Sequence, residues 1–182
     1  MPTEPVTPPV PTELPIEKRI AAAVAELGEP TVVLRALSLI AGNNEGEEFL
    51  LVVGGDHARG ILAGAPVLYW PDLWGTRALL YVWDDSATDA VTAALHNQAW
   101  RVREMAARVA ALRGLEVVPV LVGMLGDEHP RVRAAASRAL GALGSLENVD
   151  DIRPLLKDPE IDVRRGAQQG IDAIRSREAP AQ

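Results

Sequence analysis

What most limits the folds open to this chain is that it says nearly the same thing three times. The stretches "NQAWRVREMAARVAA" at 97–111, "DEHPRVRAAASRALG" at 127–141 and "DPEIDVRRGAQQGID" at 158–172 share one pattern, and aligning Val102, Val132 and Val163 gives spacings of 30 and 31. A repeat of that length is one supersecondary unit that cannot bury its apolar face alone, so copies must stack. In the clearest copy Val132, Ala135, Ala136, Ala139, Leu140 and Leu143 form an apolar stripe at helical spacing. Its alanines allow close approach by neighbouring helices. Gly144 stands where a helix would close. A second amphipathic segment precedes each such helix, at 116–125 and 147–156, joined by a short turn holding Asp127 or Asp158. Each repeat is therefore expected to be a helical hairpin.

The same step, carried toward the N-terminus, predicts first helices starting near 31, 57, 86, 116 and 147, and second helices near 45, 72, 100, 130 and 161. Ahead of them Ile20, Ala23, Val24 and Leu27 share one helical face, with Gly28 at the expected C-cap. The expected fold is all-α, a solenoid of about five hairpins after a capping helix. Residues 1–15 hold six prolines and little to bury, which suits an extended arm. The repeat domain is expected over 16–177, irregular over 16–85 and regular over 86–177, with a tail at 178–182.

Composition excludes several classes. No cysteine is present, so there is no disulfide framework, thiolate metal site or cysteine nucleophile. No basic and apolar leader opens the sequence, and no run approaches the length of a spanning helix, so a cytoplasmic protein without a membrane segment is expected. The formal charge of −7 is unevenly placed. Residues 1–98 carry 5 basic and 13 acidic groups, whereas 99–182 carry 13 and 12. That balance argues against a general nucleic-acid binder.

The pattern D-x4-V-R-x-A-A-x3-L-G-x2-G resembles the short HEAT-like repeat, of the type named after phycobilin lyases. Asp127 with Arg133 and Asp158 with Arg164 match it, and Asn97 replaces the acid in the copy bearing Arg103. The resemblance runs strongly over about 86–175 and more weakly over 31–85. It implies an α-α superhelix with first helices convex and second helices concave, and binding more often than catalysis. It also implies that these six residues form a structural ladder. An acid can accept N–H groups at a helix start and pair with a forked guanidinium.

Catalytic or metal chemistry finds little support. His57, His96 and His129 are scattered, without a metal-ligand spacing. HEAT-like deoxyhypusine hydroxylases are known by repeated His-Glu pairs that ligate iron, whereas Glu128 and His129 form a lone inverted pair. The stretch "GGDHARGILAG" lacks the lysine and hydroxyl of a phosphate cradle. "DDSATD" at 84–89 reads as a helix start with Ser86 as cap, a paired-carboxylate site being the alternative. No catalytic residue, metal site or cofactor is expected.

Two features rise above packing. Tyr69, Trp70, Trp74, Tyr81, Trp83 and Trp100 are six of the seven aromatics, confined to 32 residues. They either fill an irregular junction or form a pocket. Opposite the apolar stripe lie Glu104 and Arg108, then Ser137 and Arg138, then Arg165, Gln168 and Gln169. These are expected on the concave face. The leading reading is a non-enzymatic scaffold whose groove holds a protein or peptide, with Trp70, Trp74, Trp83 and Trp100 as anchors and Arg108, Arg138 and Arg165 for orientation. One alternative is a nucleic-acid or base-excision module like the HEAT-like DNA glycosylases. Another, carried only by the repeat type's name, is a tetrapyrrole lyase or chaperone.

Overall fold

The computed structural model describes residues 11–179. The first helix, α1, runs from Ile16 to Leu27, and ten more follow among the described residues: α2 (Glu29–Ile40), α3 (Gly46–Gly54), α4 (Asp56–Leu62), α5 (Trp70–Ala78), α6 (Thr88–Ala94), α7 (Trp100–Arg113), α8 (Val118–Met124), α9 (Pro130–Leu143), α10 (Asn148–Ile152) and α11 (Ile161–Glu178). Every expected helix start lies within two residues of an observed one. The fold is all-α. The chain divides into two compact units, residues 1–90 and 91–182, with the division falling inside α6.

In the first unit, α1 and α2 meet at Gly28, whose φ of 82° and N–H to the Val24 carbonyl (2.9 Å) end α1 as the sequence predicts. Helix α5 packs against α2 and α3. Gly75 makes the first contact possible, since a Cβ there would lie 2.6 Å from the Ala36 carbonyl oxygen. Trp74, next to it, is buried against Gly54. The segment before α1 is also held. Thr12 is 2% exposed, its hydroxyl donating to Asp56 Oδ1 (2.5 Å) and accepting from Arg59 Nη2 (2.7 Å), while its carbonyl accepts from Arg19 (2.7 Å). The proline-rich arm expected over 1–15 thus lies outside the described residues up to 10, and beyond that Thr12 anchors it to the fold. The expected tail joins α11 at Glu178, and its last three residues, 180–182, lie outside the described ones.

Arginines stitch this unit through its backbone. Arg19 donates to the Val52 carbonyl (2.8 Å) and Arg77 to the Val53 carbonyl (2.8 Å), satisfying the C-terminal end of α3. Burial pulls the Arg19 pKa below the ordinary guanidinium value, against the opposing influence of Asp56 and Glu17.

The second unit stacks its hairpins as the repeat demands. Helix α9 lies between α7 and α11, with α8 and the 3₁₀ turn at 153–157 behind. Val102, Val132 and Val163, the residues that align the repeats, are all fully buried. The α9–α11 seam is built of small residues: a Cβ at Gly166 would lie 2.9 Å from the Ala134 carbonyl oxygen, one at Gly141 would lie 2.8 Å from Gly170 Cα, and one at Gly170 would overlap the Ser137 carbonyl. Gly144 does close α9, its N–H reaching the Leu140 carbonyl at 2.7 Å, but in extended rather than left-handed backbone. Space demands glycine there, because a Cβ would meet Asn148 and the Leu140 carbonyl at 2.8 Å. Arg177 finishes the end of α9 by donating to the carbonyls of Gly141, Ala142 and Gly144.

Candidate binding surfaces

The ladder residues come together at the turns of the second unit, and their register is between repeats rather than within them. Arg103 grips the Asp127 carboxylate of the next repeat with two bonds, at 2.8 and 2.9 Å, and Arg133 grips Asp158 at 2.9 and 3.0 Å. Each guanidinium also donates Nη1 to two carbonyls of its own turn, Asn97 and Gln98 for Arg103, Asp127 and Glu128 for Arg133. Each carboxylate accepts a helix-start N–H, from His129 (2.8 Å) and Glu160 (2.9 Å). The pairs are largely buried, Asp127 being 11% and Asp158 9% exposed, so the fork geometry counts for more than in a surface pair. The hydrogen bond from Arg133 holds the Asp158 carboxyl below its usual range, and the same pairing raises Arg133.

Asn97 follows from this register. Its Oδ1 accepts the Ala99 N–H at 2.9 Å, as an acid would. The repeat spacing puts Leu73 where an arginine would stand before Arg103. An amide keeps this cap contact without a formal charge. Arg164, the last of the series, donates to the Asp158 and Pro159 carbonyls (2.7 and 2.9 Å). Beside the first rung an open recess of about 540 Å³ is lined by His96, Gln98, Arg103, Val120 and Asp127. Its two charged walls, Arg103 and Asp127, are already paired.

The aromatic crowd does not form one pocket. Trp74 is 1% exposed and cannot meet a partner, so its expected role as an anchor is corrected to one in the core of the first unit. Trp70 is half-buried, with ring centroids 4.0 Å from His57, 5.1 Å from Tyr69 and 5.9 Å from Trp74. Trp83 is tied down by its indole N–H to Asp85 (3.1 Å) and its backbone N–H to Glu29 (3.3 Å). Trp100 belongs to the second unit, where its ring stacks on His129 at 3.7 Å and the Arg101 guanidinium lies 4.3 Å from the ring centroid. The start of the 84–89 segment is likewise corrected: Asp84, not Ser86, caps it, accepting the Ser86 N–H at 2.9 Å. The bonds from Ser86 hold the exposed Asp84 carboxyl below its usual range.

Across α7, α9 and α11 the exposed side chains fall into rows. Arg108, Arg138 and Gln169 occupy equivalent positions, and Arg138 Nε donates to Gln169 Oε1 at 2.7 Å, which fixes the two helices side by side. One turn further, Leu112, Ala142 and Ala173 are exposed as a second, apolar row, with Leu112 59% exposed. Arg165 is solvent-facing and lies 3.8 Å from Asp162. Ser137, expected beside Arg138, is instead fully buried and donates to the Arg133 carbonyl (2.9 Å), because α11 packs directly over it. Arg108 has no hydrogen-bond or ion-pair partner among the described residues.

The first unit holds a groove that periodicity did not foresee. About 540 Å³ in volume, it opens between the end of α2, the start of α3, and the α4–α5 connection, over Leu50, Ile61, Leu62, Val67 and Leu68. Leu68 has a φ of 47°, a left-handed conformation that costs a leucine about 1–2 kcal/mol. Only the shift from helical to irregular spacing after Gly64 hints at it in the sequence.

Among the described residues there is no group of three or more His, Cys, Asp or Glu placed to hold a metal ion. Nor is any helix there long and apolar enough to cross a membrane.

Comparison with known proteins agrees with the repeat geometry. The chain is 34% identical over 70 residues to deoxyhypusine hydroxylase of Gallus gallus; the match covers 37% of this chain and only 23% of that protein. The family model for HEAT repeats matches residues 88–172, the span of α6 through most of α11. Residues 88–172, just under half of the chain, thus carry HEAT-type repeats.

Proposed function

We propose that the chain is a non-enzymatic binding scaffold whose second unit presents the exposed, concave face of α7, α9 and α11 to an acidic peptide or protein segment. The observation that carries this is the pair of rows. The row of Arg108, Arg138 and Gln169 runs across three helices next to the apolar row of Leu112, Ala142 and Ala173, and Arg165 lies one turn before Gln169 on α11. Carboxylates of a partner would meet the forked donors while a leucine or phenylalanine covers Leu112. Leu112 takes the anchoring part first assigned to Trp74. The activity in the hydroxylase's name belongs to that protein, of which this chain spans less than a quarter. The described residues supply no His-Glu ligand set onto which it could be carried.

Fluorescence anisotropy with a labelled acidic, leucine-bearing peptide tests the proposal. Replacing Arg108, Arg138 and Arg165 together by Ala should weaken binding by more than tenfold, about 1.4 kcal/mol or more, and Leu112→Ser should also weaken it. Duplex DNA near physiological salt is the competing probe. If three phosphates were neutralised, affinity would fall with a log-log salt slope of about −2.7. Tight duplex binding with that slope, lost in the triple variant, would replace the peptide reading by a nucleic-acid one.

A further inference from the structure

We propose that the groove of the first unit is a second docking site, for a basic, leucine-bearing peptide segment of another protein. It is independent of the arginine face and has the opposite charge preference.

The groove is apolar where it is open. Leu62, Val67 and Leu68 are all exposed, and Leu68 is 71% exposed. That exposure matters because the Leu68 backbone is left-handed. Such a conformation persists only where the surrounding structure holds it, and the chain itself buries little of this side chain. A partner's apolar side chain laid over Leu62 and Leu68 would supply the missing contact. The volume of about 540 Å³ lies within the range of ligand clefts and takes a few side chains rather than a domain.

Charge selects among occupants. Glu47 and Asp72 are the charged residues of the lining, and it contains no lysine or arginine. Glu47 is exposed and has no ion pair among the described residues. The first unit has the same sign, residues 11–90 carrying 5 basic and 12 acidic groups. A lysine- or arginine-bearing segment is drawn to such a rim, whereas a second copy of this unit would bring the same sign and be repelled. The Asn43 side chain, on the same wall, makes no hydrogen bond among the described residues and can pair with a peptide main chain.

The test is anisotropy titration of the full chain with a short labelled peptide carrying two leucines one helical turn apart among lysines. Companion peptides replace lysine by glutamate or leucine by serine. The lysine-leucine peptide should bind, and both companions should bind at least about tenfold more weakly. Leu68→Gly, which relieves the backbone and keeps the fold, should weaken binding about tenfold, as should Glu47→Lys. The variant with Ala at Arg108, Arg138 and Arg165 should bind this peptide like the parent, which separates the present proposal from the preceding one. Equal binding of the glutamate peptide, or indifference to Leu68→Gly and Glu47→Lys, would overturn it. So would binding seen only after removal of residues 1–10, which would put the chain's own N-terminal segment in the groove. A rise in mass with concentration that Leu68→Gly abolishes would overturn it in favour of a second copy.

Discussion

Replacing Gly170 and Gly123 in turn by alanine makes the same chemical change at two helical positions of one unit, and the structure requires opposite signs. Gly123 lies in α8, is exposed, and a Cβ there would meet nothing within 4 Å. Alanine should stabilise it by roughly 0.5–1 kcal/mol, through helix propensity and a less flexible unfolded chain. Gly170 lies in the α9–α11 seam, where a Cβ would overlap the Ser137 carbonyl oxygen and sit 3.0 Å from its carbon. The obstacle is backbone, so no rotamer change removes it. The helices must part by something on the order of 1 Å, and a gap of that size forfeits about a quarter to a half of the dispersion between facing atoms. Overpacking of this kind costs about 3 kcal/mol at the upper end of its usual range, and helix propensity returns about 1. A net loss of about 2 kcal/mol is expected, and a gap between the two variants of about 3 kcal/mol. Urea unfolding followed by far-UV circular dichroism and by tryptophan fluorescence measures both. A Gly170→Ala protein as stable as the parent would refute the close seam, and with it the reason given for glycine at Gly141 and Gly166.

Three further outcomes are expected. Leu140→Ala, at a fully buried position, should cost about 2–5 kcal/mol, while exposed Arg138→Ala should stay within about 0.5; thermal melts that rank them equally would mean the faces of α9 are misassigned. Asp158→Asn should destabilise the protein at neutral pH. The Asp158 carboxyl is held below its ordinary value, so its contribution is complete above about pH 4 and is lost as pH falls through the folded value. The difference between variant and parent in urea titrations should therefore shrink in acid, and a constant difference would deny that the ion pair is its source. Arg177→Ala should remove three carbonyl contacts at the end of α9 and cost about 1 kcal/mol, and amide hydrogen exchange should speed up in its last turn and nowhere else in that helix.

The sequence by itself determined the local structure and the periodic structure of this protein. Helix starts, the capping glycine at Gly28 and the residue types of the ladder were legible because they depend on spacing within a turn or on a step repeated along the chain. The exposure of Arg108 and Arg138 followed from the same helical geometry. Only the tertiary structure decided which partner each residue meets. Arg103 pairs with the acid of the following repeat, Ser137 vanishes beneath α11, and Trp74 sinks into the first unit while Leu112 stays in solvent. Thr12 is held by Asp56 and Arg59, far along the chain. The groove is built from the end of α2, the start of α3 and the α4–α5 connection, where the repeat motif is not legible. The physical reason is common to all of these. Burial and pairing depend on which helices lie against one another, and where the repeat lapses, over 31–85, no periodic rule carries that information along the sequence.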